Sequence, residues 1–310
     1  MKLLYFDDFR LGVLRGDQVH DVSSAVQDVP HLGPHDLISG VIARWDTYAA
    51  AIEEAATKAP GVPLSSVRVR PPLPRPVNLV CMAGTSWENG TLTEPYPINA
   101  FMKSPDAIIG DGDAWVLPDA PATIFEGEAE MAIVIGKTAT AVSEAEAMDC
   151  VFGYVNLVDC SARGIPPAGN SFYQMKARDT FAPIGPFLVT KDEVPDPEDL
   201  EVKMWTNGTL THEYHTSDMS YSIARCVSWV SHAHTLNPGD IVSWGTNHAG
   251  LHPAQDGDTI ELETQGLGRL RITVRDDLKR EWTRETRAER ATRGLDGGAP
   301  QVAGKYAPAT

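Results

Sequence analysis

The stretch FEGEAEMAIVIGK, residues 125–137, sets three carboxylates at alternate positions and then runs on through apolar residues as a buried strand does. On a strand, side chains two apart share a face, so Glu126, Glu128 and Glu130 aim in one direction. Neighbouring like charges repel and are costly to desolvate, so such a row demands either solvent or a cation. Two readings follow: a solvated, charged strand edge, or a site for a hard divalent ion. Oxygen ligands alone select Mg2+, Mn2+ or Ca2+ over zinc, and a further carboxylate is then wanted from another element. Asp159 is well placed, because it ends the apolar run VFGYVNLVD at 151–159 just before the polar CSARG.

Around these two strands the chain from about 75 to 275 is a series of short apolar runs punctuated by Gly, Pro, Asn and Asp. NLVCMAG, AWVLP, FAPIGPFLVT, LEVKMWTNGTL, GDIVSWG, DTIELET and GRLRITVRD all read as strands, which predicts an extensive sheet. TNGT at 206–209 predicts a two-residue hairpin turn. Helices are expected at 143–152 and at 221–236, the second with Ile223, Cys226, Val227 and Val230 on one stripe. The proline-dense PPLPRP at 71–76 closes a first unit, in which LLYF and RLGVLRGDQVHDVS read as strands and 36–58 as an amphipathic helix. The expected organisation is a small N-terminal α+β domain at 1–70, a main domain at 71–277, and a charged helix with a flexible Gly/Pro-rich tail at 278–310. The fold class is α+β and β-rich.

Across 310 residues, 26 basic against 42 acidic side chains leave a net charge of −16, which argues against nucleic acid and acidic membrane as partners. No apolar run approaches the roughly 18 to 20 residues of a membrane span. Asp7 and Asp8 interrupt the N-terminus where a signal peptide would stay apolar, so a cytoplasmic protein is expected. The four cysteines lack CxxC spacing and read as reduced core thiols.

The order EAEMAIVIGK, GYVNLVDCSAR, KARDTFAPIGP, WTNG, TLNPGDIVSWGT, DGDTIELETQGLGRLRITV resembles the fumarylacetoacetate hydrolase family over about residues 75–275. RLGVLRGDQVHDVS resembles the small leading domain of many members. The resemblance implies a mixed β-roll/β-sandwich catalytic domain holding Mg2+ or Mn2+ on a Glu-x-Glu pair and a downstream Asp, here Glu128, Glu130 and Asp159. Glu126 falls outside the pair. It implies a small 1,3-diketo (acylpyruvate), 2-keto or 2-hydroxydienoate carboxylic acid as substrate, polarised for carbon–carbon hydrolysis or for enol–keto proton transfer. It also implies Lys176 as a cation beside carbonyl or enolate oxygen, Arg163 near the site, and Thr246 in the loop matching the family's Gly-Thr-Pro segment. Side-chain chemistry agrees, since a half-desolvated lysine acts strongly on developing charge and an arginine fork fits a carboxylate.

One stretch departs from the family pattern. Many members carry an Asn-Tyr pair, then a His and a Glu, on a lid after the strand matching NLVCMAG. Here GTSWENGTLTEPYP, 84–97, has Ser86-Trp87 for the pair and Gly90 where the His belongs. A metal alone does not supply the positioned proton acceptor of general-base catalysis. Glu88 or Glu94 from the lid, or His248 from TNHAG, are the candidate substitutes, and without the lid His the isomerase, decarboxylase and dehydratase reactions gain on hydrolysis. Tyr173 and Gln174, directly before Lys176, are candidate substrate contacts, although an aromatic pair such as Phe172 and Tyr173 is more usual in a core. A homodimer is expected, because so β-rich a domain must cover a sheet edge. The competing class is a non-catalytic relic of the family that serves as a binding protein.

Overall fold

The structure, a computed structural model, describes residues 1–166 and 172–308. Its centre is the antiparallel pair Ile124–Ile135 and Val151–Arg163, in which every residue but Arg163 is buried. These two strands lie inside a twelve-stranded sheet. From one edge it runs through Gly61–Pro63, Gln18–Asp21, Arg10–Arg15, Lys2–Phe6 and Ala182–Thr190 to the central pair, then Ile241–Ser243, Leu79–Ala83 and Asn99–Met102. A five-stranded sheet of Thr209–His215, Glu201–Thr206, Thr259–Thr264, Gly268–Arg275 and Ala114–Val116 packs against it.

The period-two alternation of the central strand explains where the acids sit. Ala129, Met131 and Ile133 point into the core shared with Trp115, Leu262 and Leu270. Ala132 and Val134 point the other way, into the core covered by Ile38, Val41 and Ile52 of the N-terminal helices. Glu126, Glu128 and Glu130 continue that second face. The first seventy residues thus add five strands to the sheet that carries the acids, joined through Lys2↔Val189 and Leu3↔Leu188.

Most expected strands are present, and the TNGT hairpin forms with Asn207 at φ 52° and Gly208 at φ 77°. The helix expected over 36–58 is instead two, Pro34–Ala43 and Trp45–Lys58, broken at the non-helical Arg44. The break lets Val41 and Ile42 of the first helix and Ile52 and Ala56 of the second reach one core. The 143–152 helix shrinks to Glu144–Ala147, capped by Ser143 and Glu146, because the chain from Val151 is taken into the central sheet. The 221–236 helix spans Ile223–Ala233. At the C-terminus the charged helix covers only Arg287–Thr292, and the stretch expected to be flexible returns as Gln301–Ala303 to pair with Glu281–Trp282. Trp282 is buried with its ring edge-on to Phe125, which ties this segment to the central strand. All four cysteines are free and buried. Among the described residues, no helix is long and apolar enough to cross a membrane.

Candidate active site

Glu128 and Asp159 stand directly opposite each other across the central strand pair, and Glu130 is one step further along the same face. One carboxylate oxygen from each of the three lies within 4.8 Å of the others. Their residues are 4%, 0% and 1% exposed for Glu128, Asp159 and Glu130, so the solvated-edge reading fails. Two lysines meet the cluster. Lys176 Nζ donates to Glu128 Oε2 and Asp159 Oδ2, each at 2.6 Å. Lys103 pairs ionically with Asp159 Oδ1 while its hydrogen bonds go to the carbonyls of Cys160, 3.1 Å, and Lys176, 2.8 Å. Asp159 Oδ1 is thereby buried without a hydrogen bond among the described residues.

The charges sort the three acids. Burial alone would raise Glu128, but Lys176 and Arg163 outweigh it and hold this carboxyl well below the usual range. Glu130 is pushed well above it by burial and then by the charges of Asp159 and Glu128, although Ser243 Oγ donates to Glu130 Oε2. Asp159 is raised, chiefly by burial. Lys176 is raised despite its burial, because Asp159 and Glu128 face it. Facing these carboxylates it stands as their cationic partner. An all-oxygen set, close-packed, buried and with Glu130 under like-charge pressure, fits a hard divalent cation. Glu126, the third acid of the row, turns instead to Arg163 and Arg287.

Two of the candidate substitutes for the missing lid His are brought together from far apart. Glu88 accepts the backbone N–H of His248 at 2.8 Å and a second bond from its ring Nδ1. His248 Nε2 then faces Glu128 Oε1 at 3.9 Å. Glu88 and Asn89 both adopt left-handed backbone, φ 54° and 58°, which a non-glycine residue keeps only when its surroundings enforce it. Asp218 does so. Its Oδ2 accepts from Ser86 Oγ at 2.7 Å, Asn89 N at 3.0 Å and Asn247 Nδ2 at 3.2 Å, which fastens the Glu88 turn to the His248 loop. Gly245, at φ 100°, brings that loop against Thr85, where a Cβ would meet Thr85 Oγ1 at 2.0 Å.

A cavity of about 150 Å3 joins these parts. Glu128, Glu130, Arg163, Lys176, Thr246 and His248 all line it. Glu94 is exposed and makes no hydrogen bond or ion pair among the described residues. Tyr173 and Gln174 sit on the short helix Phe172–Lys176 and are exposed, and Tyr173 belongs to no core. Phe172 stacks on Phe101, whose ring lies 5.0 Å from Lys176 Nζ. Sequence reasoning passed over Lys103, Asp218 and Arg287. Only Lys103 left a trace, a lone lysine closing the apolar NAFM.

The model of the fumarylacetoacetate hydrolase C-terminal domain matches residues 82–275. A maleylpyruvate hydrolase of Aquipseudomonas alcaligenes is 31% identical over 291 residues, 89% of this chain and 99% of that protein. The chain belongs to the fumarylacetoacetate hydrolase family. The crystal structure of a maleylpyruvate hydrolase from Sphingobium sp. SYK-6, in complex with manganese(II) and pyruvate, superposes with a TM-score of 0.80 at 33% identity. It covers 89% of this chain and 99% of its own. The oxaloacetate tautomerase YisK of Bacillus subtilis is 33% identical over 219 residues, 67% of this chain and 73% of that protein. Members similar to this chain thus include both hydrolases and tautomerases. The fold and the carboxylate cluster are those of a metal-dependent family enzyme.

Proposed function

We propose that this protein hydrolyses a carbon–carbon bond of a small acylpyruvate or related 2-keto carboxylic acid, with Mg2+ or Mn2+ held by Glu128, Glu130 and Asp159. The observation that carries it is the meeting, around one cavity, of Glu128, Glu130, Lys176 and His248, with Asp159 completing the carboxylate triad and Glu88 bonded to the His248 ring. The ion, when bound, supplies Lewis-acid polarisation of two substrate oxygens. Lys176, buried and cationic, stabilises the enolate oxygen that develops as the bond breaks. Arg163 offers its guanidinium to a substrate carboxylate, and Thr246 a hydroxyl. With Nδ1–H committed to Glu88, His248 keeps Nε2 free to accept a proton from water, the role the missing lid His would have taken.

A tautomerase reaction is the second reading, favoured by the small cavity, which suits a compact keto acid, and by Nε2 serving equally to move a proton at carbon. The reduced, buried cysteines support a cytoplasmic location. The terminal strand Asn99–Met102, with Met102 46% exposed, supports edge pairing in a homodimer. The test is a screen of acylpyruvates and oxaloacetate with Mn2+, following both product release and exchange of the α-proton with deuterated water. Cleavage supports hydrolysis, and exchange without cleavage supports the tautomerase. Neither, with metal bound, makes the chain a binding protein.

A further inference from the structure

The segment after residue 275, beyond the span of the family match, reaches the site. Arg287 N donates to Leu251 O at 3.0 Å and Ala288 N to Ala249 O at 2.8 Å, which fastens this segment to the loop carrying His248. The Arg287 side chain then turns to Glu126, Nε to Oε1 at 3.1 Å and Nη2 to Oε2 at 2.5 Å. Glu126 is fully buried, and its Oε2 also accepts Arg163 Nε, while Arg163 Nη2 donates to Glu128 Oε1. The line runs Arg287, Glu126, Arg163, cavity.

The charges along this line decide what the cavity offers. Glu126 and Arg163 alone cancel, and a neutral pair attracts an anion weakly. Arg287 leaves the unit Arg287–Glu126–Arg163 with one net positive charge, Glu128 being answered in turn by Lys176, and Arg163 is the member that lines the cavity. The bidentate grip of Arg287 also fixes the Glu126 carboxylate against which Arg163 is oriented. We propose that Arg287 is a positioning residue for the substrate carboxylate: it offsets Glu126, so that of the two carboxylates on Arg163 only Glu128, shared with Lys176, still draws on its charge, and the guanidinium plane is held. This role rests on the metal-dependent keto-acid reading above.

The test titrates oxalate into the Mn2+-loaded full chain for the wild type, Arg287→Gln, Arg287→Lys and the double variant Glu126→Gln plus Arg287→Gln, with Mn2+ affinity measured on each. Arg287→Gln weakens oxalate about tenfold and leaves Mn2+ affinity within about twofold, since the lost charge acts on the anion through Arg163. Arg287→Lys stays within about threefold of the wild type, because the charge remains. The double variant again carries one net positive charge and recovers most of the loss, which a mere mechanical tie would not do. Unchanged oxalate affinity in Arg287→Gln, or a loss that Glu126→Gln leaves uncorrected, overturns the proposal. A wild-type chain that takes up no Mn2+ overturns the metal reading itself, and that result is visible before any Arg287 variant is compared.

Discussion

Glu88 holds His248 at two points, the backbone N–H at 2.8 Å and ring Nδ1, although the two residues belong to different loops 160 positions apart. The pair leaves Nε2 turned to the carboxylate cluster. The proposed base is thus assembled from a turn and a distant loop, where the family pattern places both members on one lid.

If His248 is the proton acceptor, His248→Ala lowers kcat by about 10^2-fold or more, the range of a lost general base. Mn2+ affinity stays nearly unchanged, because the imidazole is no member of the triad. Glu88→Gln keeps a hydrogen-bonding oxygen but removes the charge that steadies the imidazolium, and loses less, about tenfold. Steady-state kinetics beside metal titration separates the two; unchanged turnover in His248→Ala removes it from the mechanism.

Asp218 touches no cavity atom yet fastens the Glu88 turn to Asn247. Asp218→Ala should release the left-handed Glu88–Asn89 backbone, reduce kcat about as much as Glu88→Gln, and lower the melting temperature by a few degrees, the cost of about 1–2 kcal/mol from three lost hydrogen bonds, two of them part-buried. Full turnover in a folded Asp218→Ala protein would show that the turn holds itself.

Lys176→Met exchanges the ammonium for a side chain of similar length. Turnover collapses with the enolate stabiliser gone. The metal-free protein also loses about 3–5 kcal/mol, since Glu128 and Asp159 are left buried without this partner. Mn2+ should restore most of that stability, because the cation then answers the same carboxylates. Melting curves with and without Mn2+ give the answer, and a variant as stable as the wild type without metal contradicts it.

Burial lowers His35 and His212 to about 4. An unfolded histidine titrates near 6.5, so between those values the unfolded chain binds more protons and stability rises with pH. Each contribution is complete above about 6.5 and lost as pH falls toward 4. Between pH 7 and 5 the two together remove about 4 kcal/mol at most, on the order of 2 each. Denaturant midpoints at the two pH values measure it, and His212→Phe should flatten the slope. An equal slope in that variant would mean that His212 is charged in the folded protein.

The triad and Lys176 were legible because their signal is local: alternate acids entering an apolar strand, an Asp ending its neighbour, and motifs in family order. Pairing Glu128 with Asp159 needed only one antiparallel register. His248 was one of several histidines, and nothing in its own segment pointed to Glu88, since that contact depends on how two loops close. Lys103, Asp218 and Arg287 were invisible for the same reason, their partners being distant in sequence. Glu94, Tyr173 and Gln174 had the right chemistry and neighbourhood but face solvent. Strand existence followed from alternation, whereas the joining of the N-terminal strands to the central sheet rests on Lys2 meeting Val189. No local pattern encodes that meeting.

Calorimetric titration of the chelator-stripped protein with Mn2+ and Mg2+, beside Glu128→Ala plus Glu130→Ala, tests the central claim most directly. A saturable single site in the wild type, tightened by oxalate and absent from a folded double variant, is the predicted result. Failure of the wild type to take up either ion, with oxalate present, would contradict it.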